Sequence, residues 1–246
     1  MTNDFVQNIC TLIKREETLS KLGCYESVNN RFPKGAKPFS DKEVERVRNQ
    51  LHKLNKKEGT PKPTFILISG KAQHGKDTTA TMLSDEFKKK GKKTLIIHYA
   101  DLLKYICKQY FGWDGNKDEK GRTILQEVGT DNIRKNYPDF WVKFVADFVV
   151  CFPNRWDYVI VPDTRFPNEA SHIVDRGFNA FLLRVNRGGG FVSPLSEEQQ
   201  RHASETALDN ADFDFVIHND GTLQDLRVLV NEVCESIELL SSVELF

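Results

Sequence analysis

TFILISGKAQHGKDTT, residues 64–79, decides how the rest of the chain is read. Phe65, Ile66, Leu67 and Ile68 form an apolar, β-branched run that stops at Ser69-Gly70. After four intervening residues comes Gly75-Lys76, then Asp77, Thr78, Thr79 and an Ala-containing, helix-forming segment. This is a buried strand, a glycine-bounded loop and a helix start. In that setting GxxxxGK is a phosphate cradle, in which backbone N–H groups point inward, the helix N-terminus adds positive potential, and the lysine reaches the β/γ-phosphates. A plain strand-to-helix turn explains one glycine, but not two at this spacing with a lysine directly after the second. The residue after Lys76 departs from the usual Ser or Thr that ligates Mg²⁺; it is Asp77, and the nearest hydroxyls are Thr78 and Thr79.

Bulk properties narrow the class. The 246 residues suit one α/β domain plus an appendage. Lys+Arg and Asp+Glu both number 35, so nothing points to general nucleic-acid binding; an anionic small molecule needs basic residues gathered in a cleft instead. Cys10, Cys24, Cys107, Cys151 and Cys234 are far apart without a CxxC pair, which predicts reduced thiols in a cytoplasmic protein rather than a metal site or disulfide framework. No stretch has the apolar length of a membrane span, and the N-terminus lacks the pattern of a signal peptide.

Outward from the cradle, residues 1–60 read as a helical extension. One amphipathic helix is expected over 4–22, and a second runs from the capping box Ser40/Glu43 to about 54, followed by a Lys-, Gly- and Pro-containing linker. Residues 61–246 form the main domain. Helices are predicted over 76–90, 101–111, 123–136, 140–152, 168–176 and 223–240, and strands over 94–98, 157–162, 180–185 and 213–218. This alternation predicts an α/β fold with a five-stranded parallel sheet and right-handed crossovers, its ligands at the carboxyl ends of the strands.

The loops at those ends hold the candidate site. Lys76 is the first cation for phosphoryl transfer. Asp163 ends an apolar strand, the setting of a Walker B acid that holds Mg²⁺ directly or through water; its plainer role is a helix cap or a partner for Arg165. Arg165 suits a bidentate grip on an acceptor phosphate. Arg184 and Arg187 flank the mouth of the fourth strand. Arg187, before Gly188-Gly189-Gly190, fits a lid over about 186–211, or else a solvated surface position. Arg122 begins a helix and is a further acceptor-phosphate candidate. Gly129-Thr130 interrupts a helix at a cost of about 1 kcal/mol, which points to close backbone approach by a ligand. Tyr137, Phe140 and Trp141 are candidates to stack on a base or to fill the core.

Together these segments resemble the deoxynucleoside monophosphate kinases of tailed bacteriophages, a branch of the P-loop nucleoside monophosphate kinases. SGKAQHGKDTTA, LQEVGTDNIRKNYPDFWV, YVIVPDTRFPNEA, HASETAL and FVIHNDGTLQDL carry the likeness. It implies a three-layer α/β/α P-loop kinase fold that transfers the ATP γ-phosphate to a deoxynucleoside monophosphate with Mg²⁺, often as a homodimer, in the host cytoplasm if phage-encoded. Gly75, Lys76, Asp77, Thr78 and Thr79, with Gly70 opening the loop, would bind ATP, and Thr78 and Asp163 the Mg²⁺. Gln126, Gly129, Thr130, Trp141, Asp163, Arg165 and Glu169 would surround the acceptor, on helices within about 101–152 and the loop after the third strand. Residues 1–60 are extra relative to that family, and the loop GWDGNKDEKGR is shorter than its counterpart there. Competing readings are a P-loop kinase for another small metabolite and a non-catalytic nucleotide-binding protein.

Overall fold

The computed structural model describes residues 62–188, 190–193 and 195–243; the expected helices within 1–60 lie outside them. The chain divides into two compact units. One contains Leu103–Tyr137; the other contains residues 62–102 and 138–243.

The larger unit is built on five parallel strands: β1 (Thr64–Ser69), β2 (Thr94–Ile96), β3 (Tyr158–Val161), β4 (Ala180–Asn186) and β5 (Phe215–His218). Their order is β2-β3-β1-β4-β5. β1 lies in the middle, with Leu67 opposite Val161 on one side and Leu182 on the other. A central strand of a parallel sheet is covered on both faces, which is why all six of its residues are buried and its apolar run is unbroken. β2 is an edge strand and only half-buried, and its pairing ends at Ile96, two residues before the expected 98. β5, at the other edge, starts two residues later than expected.

Helix α1 (Lys76–Lys89) follows the cradle. It ends as a Schellman motif: Lys92 N–H donates to Phe87 O at 3.0 Å and Gly91 N–H to Lys88 O at 3.0 Å, with Gly91 at φ 75°. Ile66 and Ile68 face a core shared with Leu83 and Phe87 of α1 and with Leu226, Val230 and Ile237 of the last helix, Leu223–Val243. Phe87 stacks on Tyr158 with ring centroids 4.0 Å apart. Phe65 points to the opposite face, as strand alternation requires, and packs edge-on against Phe178 at 5.0 Å. Helices over Phe140–Val150 and Pro167–Asp175 pack together, and the second also packs on β4.

In the smaller unit, the helix that began at Ala100 runs to Tyr110, and a further helix spans Glu119–Gln126. The latter is capped by Asp118, whose carboxylate accepts Gly121 N–H at 2.8 Å. It does not continue as α-helix to 136: Glu127–Arg134 forms a π-helix. Cys107, Trp113 and Val128 make a local core with Leu103, Ile106 and Ile124.

Candidate functional site

The loop between β1 and α1 needs both of its glycines for space. A Cβ on Gly70 would lie 2.3 Å from the backbone oxygen of Val185, and one on Gly75 would lie 2.5 Å from Asn219 Nδ2. Gly75 also has φ 98°, and Gln73 between them is left-handed at φ 60°. Asn219, just past β5, braces the loop by donating to His74 O at 3.0 Å. Lys76 Nζ turns back into the loop and donates to Gly70 O at 2.6 Å and Lys71 O at 2.7 Å. Burial first, and the Arg165 charge second, lower this ammonium from its ordinary value to about 8, against the pull of Glu205, Asp77 and Asp163. The residues fit a phosphate chain: a glycine-cleared backbone, a helix N-terminus and a half-buried cation.

Asp77 and Thr78 are exposed in the first turn of α1, whereas Thr79 is fully buried, and its hydroxyl has no partner among the described residues. Thr79 was expected among the nucleotide-binding residues; helical rotation turns it into the core instead. Asp77 has a partner that the sequence did not single out: His98 Nε2 lies 2.9 Å from its Oδ1. His98 also faces Asp101, with Nδ1 3.5 Å from Oδ2. These two carboxylates, Asp101 first and Asp77 second, raise the imidazole to about 9.

Asp163, at the end of β3, accepts Tyr99 N–H at 2.9 Å and Ala100 N–H at 3.0 Å, one on each oxygen. It thus holds the turn after His98, the capping role its position allowed. Among the described residues no group of three His, Cys, Asp or Glu side chains is placed to hold a metal ion. Mg²⁺ is usually held by one or two protein oxygens together with substrate phosphates and waters, so it does not need such a group.

Arg165 is held from two directions. Its N–H donates to Glu169 Oε2 at 2.7 Å, and the same oxygen takes Phe166 N–H at 3.1 Å. Glu169, expected around the acceptor, is therefore a buried brace for the loop after β3. Arg165 Nη1 donates to Ser204 O at 2.9 Å and to Glu205 Oε1. Glu205 sits in a short helix, Ala203–Thr206, within the stretch 186–211 that was expected to form a lid. Lys71 Nζ joins that segment by bonds to Glu205 O at 2.5 Å and Asp209 Oδ1 at 2.6 Å. Arg184 is buried; it donates to Asp209 Oδ1 at 3.0 Å and Ser69 Oγ at 3.2 Å. His98, Glu205, Asp209 and Asn219 were not singled out from the sequence. HASETAL, which contains Glu205, and FVIHNDGTLQDL, which contains Asn219, were the signals for two of them.

Arg187 is exposed, its guanidinium 5.3 Å from the centroid of Phe191, and its N–H donates to His74 Nδ1 at 3.1 Å. Trp141 is buried at 3% exposure, edge-on to Phe140 at 4.8 Å. Arg122, Gln126, Gly129 and Thr130 belong to the smaller unit. Arg122 Nε donates to Lys117 O at 3.0 Å. At Gly129 there is a close approach by protein: a Cβ there would lie 2.5 Å from Leu103 Cδ2. The helix interruption is real and takes the form of the π-helix, in which Gly129 and Val128 are buried.

Residues 113–230 match the family model described as deoxynucleotide monophosphate kinase. Over these residues the chain is similar to that family. It is 36% identical over 107 residues to the deoxynucleotide monophosphate kinase of Enterobacteria phage T4, and 29% identical over 114 residues to that of Escherichia phage RB69. The aligned parts are 43% and 46% of this chain, and 41% and 43% of those proteins, so the chain spans about two-fifths of the length of the curated relatives it matches. Solved structures of the Mycobacterium tuberculosis APS kinase CysC are alike at 13% identity and a TM-score of 0.41, covering 72% of this chain and 99% of theirs. The family stretch contains Arg122, Gln126, Gly129, Thr130, Trp141, Asp163, Arg165, Glu169, Arg187 and Glu205. The cradle itself lies before it.

Proposed function

We propose that this protein transfers the γ-phosphate of ATP to a deoxynucleoside monophosphate, giving the diphosphate and ADP, with Mg²⁺. The observation that carries the reading is the pairing of the Lys76 cradle at the end of β1 with Arg165 at the end of β3, close enough for their charges to interact. Adjacent parallel strands bring a donor-phosphate site and a second phosphate-gripping cation to one edge of the sheet. The family match over 113–230, which includes Arg165, supports the acceptor class.

In this reading the backbone from Gly70 to Thr78, with Lys76, holds the ATP phosphates. The Thr78 hydroxyl, or the Asp77 carboxylate held by His98, meets the Mg²⁺, which when bound would neutralise charge on the phosphate oxygens. Asp163 supports them from behind through the turn at Tyr99-Ala100. Arg165 grips the acceptor phosphate, and Arg187 approaches from the lid. Trp141 belongs to the acceptor side. The acceptor is already an oxyanion, so positioning and charge neutralisation suffice without a strong general base. Such small substrates need neither nucleic acid nor a membrane; among the described residues no helix is long and apolar enough to cross one.

The test is ADP release from ATP and Mg²⁺ with a panel of deoxynucleoside monophosphates. Turnover with at least one of them, abolished by EDTA, is expected. No ADP release with any of them sinks the reading.

A further inference from the structure

We propose that Glu205 is a positioning residue that sets Arg165 against the phosphate loop, and so orients the acceptor phosphate; this rests on the reaction proposed above. The Glu205 side chain is only 7% exposed. Its Oε1 accepts from Arg165 Nη1, and its Oε2 accepts the N–H of Ala72 in the phosphate loop at 3.3 Å. One buried carboxylate thus joins the loop after β1 to the loop after β3. The two loops carry the cation for the donor phosphates and the cation for the acceptor phosphate.

The pattern of bonds shows what the contact is for. Nη1 alone is used, by Glu205 and by Ser204 O. Among the described residues Nε and Nη2 have no hydrogen-bond partner, and that edge of the guanidinium is the fork that grips a phosphate bidentately. A carboxylate that merely neutralised the arginine would take the fork itself. Glu205 leaves it open and fixes the guanidinium by its far corner.

The holder is itself held. Lys71 takes Glu205 O and the Asp209 carboxylate, Arg184 takes Asp209, and Leu208 between them is buried. Swinging Glu205 away strands a buried charge, which is strongly unfavourable.

The experiment compares wild type, Glu205→Gln, Arg165→Ala and the double variant, each checked for folding by circular dichroism and thermal melting. Glutamine keeps the shape and removes the charge. Glu205→Gln is expected to raise KM for the acceptor about tenfold, the worth of one charge-assisted hydrogen bond, while KM for ATP stays within about twofold. In the Arg165→Ala background the same change adds less than about twofold, because its target is gone. Glu205→Asp, with the charge on a shorter stem, recovers part of the loss and carries the comparison if the glutamine variant does not fold. An effect undiminished without Arg165, or shared equally by both substrates, overturns the proposal. So does tighter acceptor binding in Glu205→Gln, which would make the carboxylate a competitor for the phosphate. Calorimetric binding of pyrophosphate to the four proteins needs no turnover. If wild type phosphorylates no deoxynucleoside monophosphate, the proposed reaction fails, yet this binding cycle still decides the positioning role. Weakened binding in Glu205→Gln that vanishes without Arg165 supports it, and an additive loss overturns it.

Discussion

His98 Nε2 lies 2.9 Å from Asp77 Oδ1, so the unusual acid of the phosphate loop is paired with a side chain from beyond the edge strand β2. The pair ties the first turn of α1 to the turn that Asp163 caps. Asp77 thereby gains a fixed orientation that a serine at this position would not share.

Stability should report this pair through pH. His98 is raised to about 9 by Asp101 and Asp77, above its unfolded value of 6.5. The sign follows: the stabilisation is fully present below pH 6.5 and is lost as pH rises through about 9. Lys76, lowered to about 8, acts oppositely and favours the folded state as pH rises from about 8 toward 10.5. Comparing melting temperatures of wild type and His98→Gln from pH 6 to 9.5 isolates the first effect. The gap between the two proteins should shrink with rising pH; a constant gap contradicts the pairing.

Lys76→Ala should lower kcat/KM by at least about a hundredfold to a thousandfold, or ~3–4 kcal/mol, as for one lost transition-state donor. Near-normal turnover would remove Lys76 from the site. Nucleotide binding to wild type near pH 8 should also take up protons, because phosphate oxygens raise an ammonium that stands at about 8 in their absence. Calorimetry in buffers of different ionisation enthalpy measures that uptake, and Lys76→Met should abolish it.

Asp77→Ser separates the carboxylate from the hydroxyl found in most P-loops. The Asp77 side chain is 81% exposed, so losing its ion pair should cost stability less than about 1 kcal/mol. The rate should nonetheless fall at least about tenfold, the scale of one positioned polar group. Full activity would mean that Asp77 has no role distinct from a hydroxyl.

Two glycines should respond differently to alanine. At Gly70 the new methyl meets the Val185 backbone oxygen, which cannot yield, so Gly70→Ala should cost about 1–3 kcal/mol by denaturant unfolding and weaken nucleotide binding. At Gly129 it meets the end of the flexible Leu103 side chain, so the loss should be smaller and relieved by Leu103→Ala. Equal losses at both sites would show that the obstacle at Gly70 is not the backbone.

Much of the fold is legible in residues 64–79 because that signal is local. An unbroken apolar run needs both faces covered, which means a central strand. Two glycines with four residues between them leave room for phosphates, and the helix start follows at once. Edges were less legible: β2 ends early at Ile96 because pairing with β3 stops there, and nothing in TLIIH marks the point. Gly129 was noticed as an irregularity, but whether a ligand or Leu103 crowds it depends on packing within its own unit. Thr79 differs from Thr78 only by one step of helical rotation, enough to bury it.

The sequence by itself determined the strand, the cradle, the alternation of strands and helices, and the cations at the strand ends. Only the tertiary structure decided how those charges are partnered. His98 reaches Asp77 across 21 residues, and Glu205 reaches Arg165 across 40 and Ala72 across 133. A parallel sheet collects the carboxyl ends of distant strands at one edge, so partners there are set by strand order, which sequence spacing does not encode.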